Sequence, residues 1–152
     1  MDQKTLVENH RAQQVEPIVY RRQVAFYETD AMGVVHHSNY LRYFEEARVH
    51  WLQERGLMHL HIPHGDLIWA VVESHVVHYR SLQFADWIEV RLRAQRQGIR
   101  TVLEYFLFCE RHQGELVSRG STILVPVGRD SRPRRPPVQF LKAIEGEPWI
   151  EI

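Results

Sequence analysis

Asp30 stands three residues ahead of Gly33, His36 and His37 follow, and an amphipathic helical pattern begins directly after them. A carboxylate can act as nucleophile or as general base. The first backbone N–H groups of a helix lack intrahelical partners and carry partial positive charge. A glycine lets the chain turn sharply or approach a ligand closely. Together these parts suit attack on a carbonyl carbon, with the acid delivering the nucleophile and the helix start receiving the charge that develops on oxygen. The same residues have a plainer reading, in which Asp30 bonds nearby loop N–H groups and Gly33 is an ordinary turn glycine.

Other groups invite chemistry less strongly. Glu45 and Glu46 could supply a helix carboxylate, but an acidic pair near a helix N-terminus is favoured there by the macrodipole alone. His59, His61 and His64 lie in "HLHIPH". A His-x-His pair can bind zinc, yet Asp66 is the only acid near ligand spacing, so a plain loop after the helix is expected and no metal is implied. Tyr40, Phe44 and Trp51 read as helix core, with Tyr40 also placed to line a substrate pocket.

The elements that must position these groups follow from periodicity. "VYRRQVAF" (Val19–Phe26) reads as a first strand and residues 27–38 as a loop. From Asn39, Tyr40, Phe44, Ala47 and Trp51 recur at spacings of four, three and four, a helical stripe. Ser38 or Asn39 is placed to cap its start, and Gly56 to end it in a left-handed conformation. Four strands are expected after that, over Ile68–Ser81, Trp87–Gln95, Arg100–Arg111 and Glu115–Val127. Trp87–Gln95 alternates Ile88, Val90, Leu92 and Ala94 against Glu89, Arg91, Arg93 and Gln95, the mark of a half-buried antiparallel strand. "QG" (97–98) and "HQG" (112–114) are hairpin-sized. "GRDSRPRRPP" (128–137) stops the last strand. The expected organisation is a polar arm over 1–17, one domain over 18–137 and a tail over 138–152. One helix and about five strands make an α+β fold in which a curved sheet wraps a long helix, with an outer face and an edge left for a second subunit to cover.

Composition narrows the function classes. The 152 residues suit one domain with a real core, and 19 basic against 19 acidic residues give no global field for nucleic acid or an anionic membrane. A single cysteine, Cys109, excludes an internal disulfide framework and fits a reducing compartment. No apolar run approaches the roughly 20 residues of a membrane span, and "MDQKTLVENHRAQQVEP" lacks the apolar core of a signal peptide. A cytoplasmic protein is expected.

"YETDAMGVVHHSNYLRYFEEAR" (Tyr27–Arg48) resembles the signature of hotdog-fold acyl-CoA thioesterases of the 4-hydroxybenzoyl-CoA thioesterase type, including the thioesterase associated with the Tol–Pal system. The shared elements are an aspartate, two residues, a glycine, a β-branched pair, an asparagine and aromatic opening the helix, and "E-x-A-R" one to two turns on. The strand order agrees over residues 19–127. The resemblance implies a catalytic carboxylate at Asp30 and a backbone N–H facing the thioester carbonyl seven residues on, at His37. It implies an acyl-CoA substrate, with an acyl-carrier-protein thioester as the other form, and no cofactor; the edges and outer face left by the sheet predict a homodimer or homotetramer. Glu28 departs from the pattern, since many members carry an aspartate there. CoA phosphates would suit the arginine fork, which makes Arg132, Arg134 and Arg100 candidate contacts, beside Arg96, Arg129 and Arg135. Two rival readings stay open: a hydratase or dehydratase pairing His37 with Glu45 or Glu46, and a non-catalytic acyl-CoA-binding module.

Overall fold

Five strands form one antiparallel sheet in the order β1-β3-β4-β5-β2: β1 (Val19–Gln23), β2 (Ile68–His78), β3 (Trp87–Gln97), β4 (Arg100–Cys109) and β5 (Leu116–Val127). Two helices join them, α1 (Ser38–Glu54) and α2 (Val138–Glu145). The computed structural model describes residues 15–61 and 63–148. Most of the expected arm and the end of the expected tail therefore lie outside the described residues.

The helical stripe does what its spacing predicts: Tyr40, Phe44, Ala47 and Trp51 are all buried, joined by Tyr43 and Leu52. Phe44 stacks on Tyr105 of β4 with ring centroids 4.8 Å apart and planes 12° from parallel. Gly120 of β5 makes this possible. A Cβ built there would overlap the edge of the Phe44 ring and lie 3.0 Å from the His75 carbonyl oxygen. The Phe44 ring of the helix thus lies on the bare backbone of β5 within the hotdog arrangement, a sheet around a long helix. Gly56 ends the helical segment at φ +68°, the left-handed conformation expected of it.

Four local expectations need correction. β1 stops at Gln23 instead of Phe26, because the Glu28 carboxylate accepts the Ala25 N–H at 2.7 Å and winds Phe26–Glu28 into a 3-10 turn. β2 ends at His78 instead of Ser81: the Tyr79 and Arg80 N–H groups both turn to the Val117 carbonyl, at 2.9 and 3.2 Å. Neither Ser38 nor Asn39 caps α1. His37 occupies the N-cap position, the Ser38 hydroxyl lies 2.8 Å from His36 Nδ1, and Asn39 Nδ2 donates to the Glu28 carbonyl at 2.9 Å. Within the expected tail, residues 138–145 form α2, whose Phe140 packs against Trp51 and Trp69 with centroids 6.0 and 4.2 Å away. Arg55 grips Glu147 at 2.9 and 3.0 Å and holds the end of the described chain to α1.

The outer face of the sheet largely covers itself. Phe106 points outward yet is 1% exposed. The Arg93 and Arg119 guanidinium groups lie over its ring at 5.1 and 5.4 Å, and both pair with Glu104 at 2.9 Å. The edge is different: β2 pairs with β5 on one side only and leaves Ile68, Val71 and Val72 exposed.

The Gly120 contact sets a stability test. Gly120→Ala forces a methyl group into the Phe44 ring, and overpacking of this kind costs about 2 kcal/mol. Urea unfolding of the variant should show the unfolding free energy reduced by that amount, read as a lower midpoint at unchanged slope; an unaltered midpoint would mean that Phe44 does not rest on this strand as described.

Candidate active site

The site is assembled at one end of the sheet, where the Phe26–Glu28 turn, a tight loop and the start of α1 meet. Glu28 is buried, and Arg22 of β1 pairs with it closely while also holding Glu46 of α1 at 2.9 Å. Tyr20 donates its hydroxyl to Glu46 at 2.8 Å. Burial first, then this acceptor, pushes the Tyr20 hydroxyl up to about 12. The Glu28 carbonyl meanwhile accepts the His36 N–H at 2.9 Å as well as the Asn39 amide. The glutamate that departs from the family pattern is thus a structural anchor, tied through both its side chain and its backbone.

Between these anchors, Thr29 bridges Val35 and the Asp30 N–H donates to the Val34 carbonyl at 2.9 Å. Gly33 makes the reversal at φ +77°, with nothing within 4 Å of where a Cβ would stand. The turn itself is the reason for this glycine. Asp30 Oδ1 accepts the Met32 N–H at 2.8 Å. Its Oδ2 has no partner, and no cation pairs with the carboxylate, among the described residues. One oxygen of Asp30 therefore stabilises the loop, as its sequence position suggested, and the other has no partner among the described residues.

Across the loop, α1 begins without a side-chain cap. His36 occupies the neighbouring donor, since the Ser38 N–H points to His36 Nδ1 at 3.2 Å. The His37 N–H has no partner among the described residues. His37, Tyr40 and His78 line an open cleft with Val35, Tyr79, Arg80 and Ser81. Tyr40 meets His78 edge-on, with centroids 4.4 Å apart. Burial, against a weaker opposing pull from the Leu82 backbone, pushes the Tyr40 hydroxyl up to about 12, so it stays a neutral phenol. Burial, then the neighbouring His37, lowers His78 below its ordinary value. His78 was not singled out from sequence; its place at a strand end, opposite an aromatic that opens the helix, was the available signal.

The structure places His37 and Tyr40 in one cleft and Asp30 and Gly33 in the tight loop that leads to it. It does not bring Arg100, Arg132 or Arg134 to them. Arg100 opens β4 at the hairpin with Gln97, and Arg132 and Arg134 follow β5, whose Val127 pairs with Ile68. All three lie at the other end of the sheet, about 30 Å from His78 at 3.3 Å per residue along β2. Arg134 pairs with Asp130 at 2.8 Å. Glu46 is committed to Arg22 and Tyr20, and Glu45 points outward. In the histidine-rich loop, His59 meets Gln139 at 3.1 Å and His61 lies beside Trp69; no group that could hold a metal occurs among the described residues. No helix among them is long and apolar enough to cross a membrane.

Comparison with known proteins agrees with this geometry. Residues 24–145 match the family described as the thioesterase-like superfamily. A candidate esterase of Aquifex aeolicus is 39% identical over 95 residues, covering 62% of this chain and 74% of its own. The structure resembles a DHNA-CoA thioesterase from Staphylococcus aureus, with TM-score 0.74, 28% identity, and 84% of this chain and 86% of the other covered. It also resembles a gentisyl-coenzyme A thioesterase, with TM-score 0.73, 26% identity, and 84% and 99% covered. With the matched region spanning the carboxylate loop, the helix and all the later strands, the chain belongs to the thioesterase-like superfamily and is a hotdog-fold thioester hydrolase.

Proposed function

We propose that the protein hydrolyses an acyl-CoA thioester to the free acid and CoA, with Asp30 as the reacting carboxylate and the start of α1 as the electrophilic pocket. One observation carries this reading: a carboxylate oxygen and a backbone N–H, both without partners among the described residues, belong to the two sides of one short loop. The thioester carbonyl oxygen docks on the His37 N–H. Asp30 either adds to the carbonyl carbon, giving a mixed anhydride that water then opens, or removes a proton from the attacking water. In both routes the negative charge on the carbonyl oxygen grows at the helix start and collapses as the C–S bond breaks and CoA leaves as the thiolate. The hydratase alternative is disfavoured because Glu46 is held by Arg22 and Tyr20 and has no freedom to exchange protons with His37. A module that only binds acyl-CoA has no use for an unpartnered carboxylate in the binding loop.

We further propose a homodimer paired antiparallel along β2. An exposed, long and apolar edge strand invites such pairing. A two-fold axis through the middle of β2 exchanges the ends of the sheet, so the end bearing Arg100, Arg132 and Arg134 in one subunit comes next to the Asp30 loop of the other. These arginines then reach the CoA phosphates across the interface.

Three outcomes test these statements. Asp30→Asn keeps an oxygen for the Met32 N–H but removes the anion, so kcat should fall at least about a hundredfold while thermal melts stay level; near-normal kcat would make Asp30 a loop residue only. Light scattering at assay concentration should give twice the chain mass or a multiple of it, and an active monomer would refute the pairing. Arg132→Ala with Arg134→Ala should raise KM for acyl-CoA several-fold and spare a truncated pantetheine thioester, whereas equal effects on the two substrates would return both arginines to solvent.

A further inference from the structure

Arg48 is enclosed yet poorly paired. Its side chain is 13% exposed, against 17% for Arg22 and for Arg55 and 20% for Arg93. Those three each hold a carboxylate at 2.9 Å. Among the described residues, the carboxylate within reach of Arg48 is Glu45, 3.8 Å away and 69% exposed, and its hydrogen bond to the Tyr105 hydroxyl is long at 3.4 Å. A guanidinium taken out of water needs a close anion, and an exposed carboxylate at that range supplies little.

The surroundings of Arg48 have the same imbalance. It lines a crevice of about 400 Å3 between α1, the Met58–Leu60 turn and the start of β2, with apolar walls from Leu52, Met58, Leu67 and Ile68. The crevice adjoins a small void of about 10 Å3 that shares Arg48, His61 and Trp69 with it and is lined further by Trp51 and Phe140, room for about one oxygen atom. Trp51 is fully buried, and the Nε1–H groups of Trp51 and Trp69 have no partner among the described residues. Indole and guanidinium groups donate hydrogen bonds and cannot accept them. The residues lining the inner end of the crevice thus carry one cation, two orphaned indole donors and the unpartnered Nδ1 of His61.

We propose that this crevice binds the far end of the acyl group and that this end carries a carboxylate, with one oxygen on Arg48 and the other directed to the two indole N–H groups. The proposal rests on the thioesterase reading and adds a substrate class, the CoA thioester of a dicarboxylic acid. The crevice and the cleft at His37 and Tyr40 open on the same seam between α1 and β2. Arg48 lies eight residues beyond Tyr40, about 12 Å along the helix axis, a distance an extended acyl chain of medium length can span. Glu45 stands at the mouth, and its exposure leaves it free to turn to solvent when a ligand carboxylate arrives.

The test uses thioether analogues, in which a methylene replaces the thioester carbonyl so that binding is read without hydrolysis. Calorimetry on the full chain compares ω-carboxyalkyl-CoA thioethers with methyl-ended ones of matched length, from the hexyl to the decyl series. At one length at least, the carboxylate-ended analogue should bind about tenfold tighter, the scale of one charge-assisted hydrogen bond. Arg48→Met should bring that ratio to within about twofold of one. Trp69→Phe, which removes an N–H and no charge, should lower it about threefold and serves alone if the Arg48 variant does not melt cooperatively. Equal binding of both series, no binding of either, or a ratio that survives these substitutions overturns the proposal. Thiol release from methyl-ended acyl-CoA is measured separately, so a failed carboxylate preference leaves the hydrolase reading standing, and carboxylate-dependent binding without thiol release from any ester supports the crevice while removing Asp30 from the chemistry.

Discussion

The buried Glu28 carboxylate is the constraint on which the site depends. A charge this enclosed persists only if it is paired and hydrogen-bonded, and Arg22 and the Ala25 N–H do both. Arg22 also takes Glu46, so one guanidinium joins β1, the Phe26–Glu28 turn and α1. Its plane lies over the Tyr43 ring at 4.8 Å, which excludes water from the pair. Breaking such a pair from one side costs about 3–5 kcal/mol, because the remaining charge is left uncompensated. The Glu28 carbonyl meanwhile fixes His36 and Asn39. A single residue thus sets where the Asp30 loop begins and where the helix it faces must start. A glutamate in place of the family's aspartate has the added reach to meet Arg22 from the turn.

Much of this was legible in the sequence because it is written in periodicity. The four-three-four stripe of Tyr40, Phe44, Ala47 and Trp51 located α1, and the alternation of Trp87–Gln95 located β3 and its inner face. What escaped depends on contacts between residues distant in the chain. The end of β1 is decided by where Glu28 sends its carboxylate, and the end of β2 by a shared carbonyl on β5. Ser38 and Asn39 have the right types for caps, but the His36 ring and the Glu28 carbonyl claim them first. α2 followed a proline-rich run that reads as a stop, and its two anchors, Phe140 and Ile144, form too short a stripe to outweigh it. The outer face was expected to need a partner because one helix covers only one face of a sheet; Arg91, Arg93 and Arg119 cover the outward Phe106 and Phe108 rings within the same chain.

The same distinction applies to the site residues. Asp30, Gly33, His37 and Tyr40 are close in sequence, so the chain needed only a tight loop to gather them. Arg100, Arg132 and Arg134 are joined to them by no local rule, and the antiparallel register sends all three to the opposite end of the sheet. In a sheet whose strands run about ten residues, these arginines lie too far from the Asp30 loop of their own subunit to meet the phosphates of a CoA bound there. Two-fold pairing along β2 is the simplest operation that removes this separation, and it also covers the exposed Ile68, Val71 and Val72. In the proposed dimer, edge protection and site completion have a single cause.

The uncapped start of α1 follows from the same economy of contacts. A helix that forgoes a side-chain cap loses about 1 kcal/mol, and the chain recovers part of this by letting the His36 ring accept the Ser38 N–H. The donor left over belongs to His37, whose exposed position allows water to satisfy it until a better acceptor arrives. A carbonyl oxygen gaining negative charge is that better acceptor, since hydrogen bonds to ionised groups are stronger than those to neutral ones. In the proposed mechanism the donor is therefore worth more in the transition state than in the resting site, which is the condition for an interaction to speed a reaction and not merely to tighten binding.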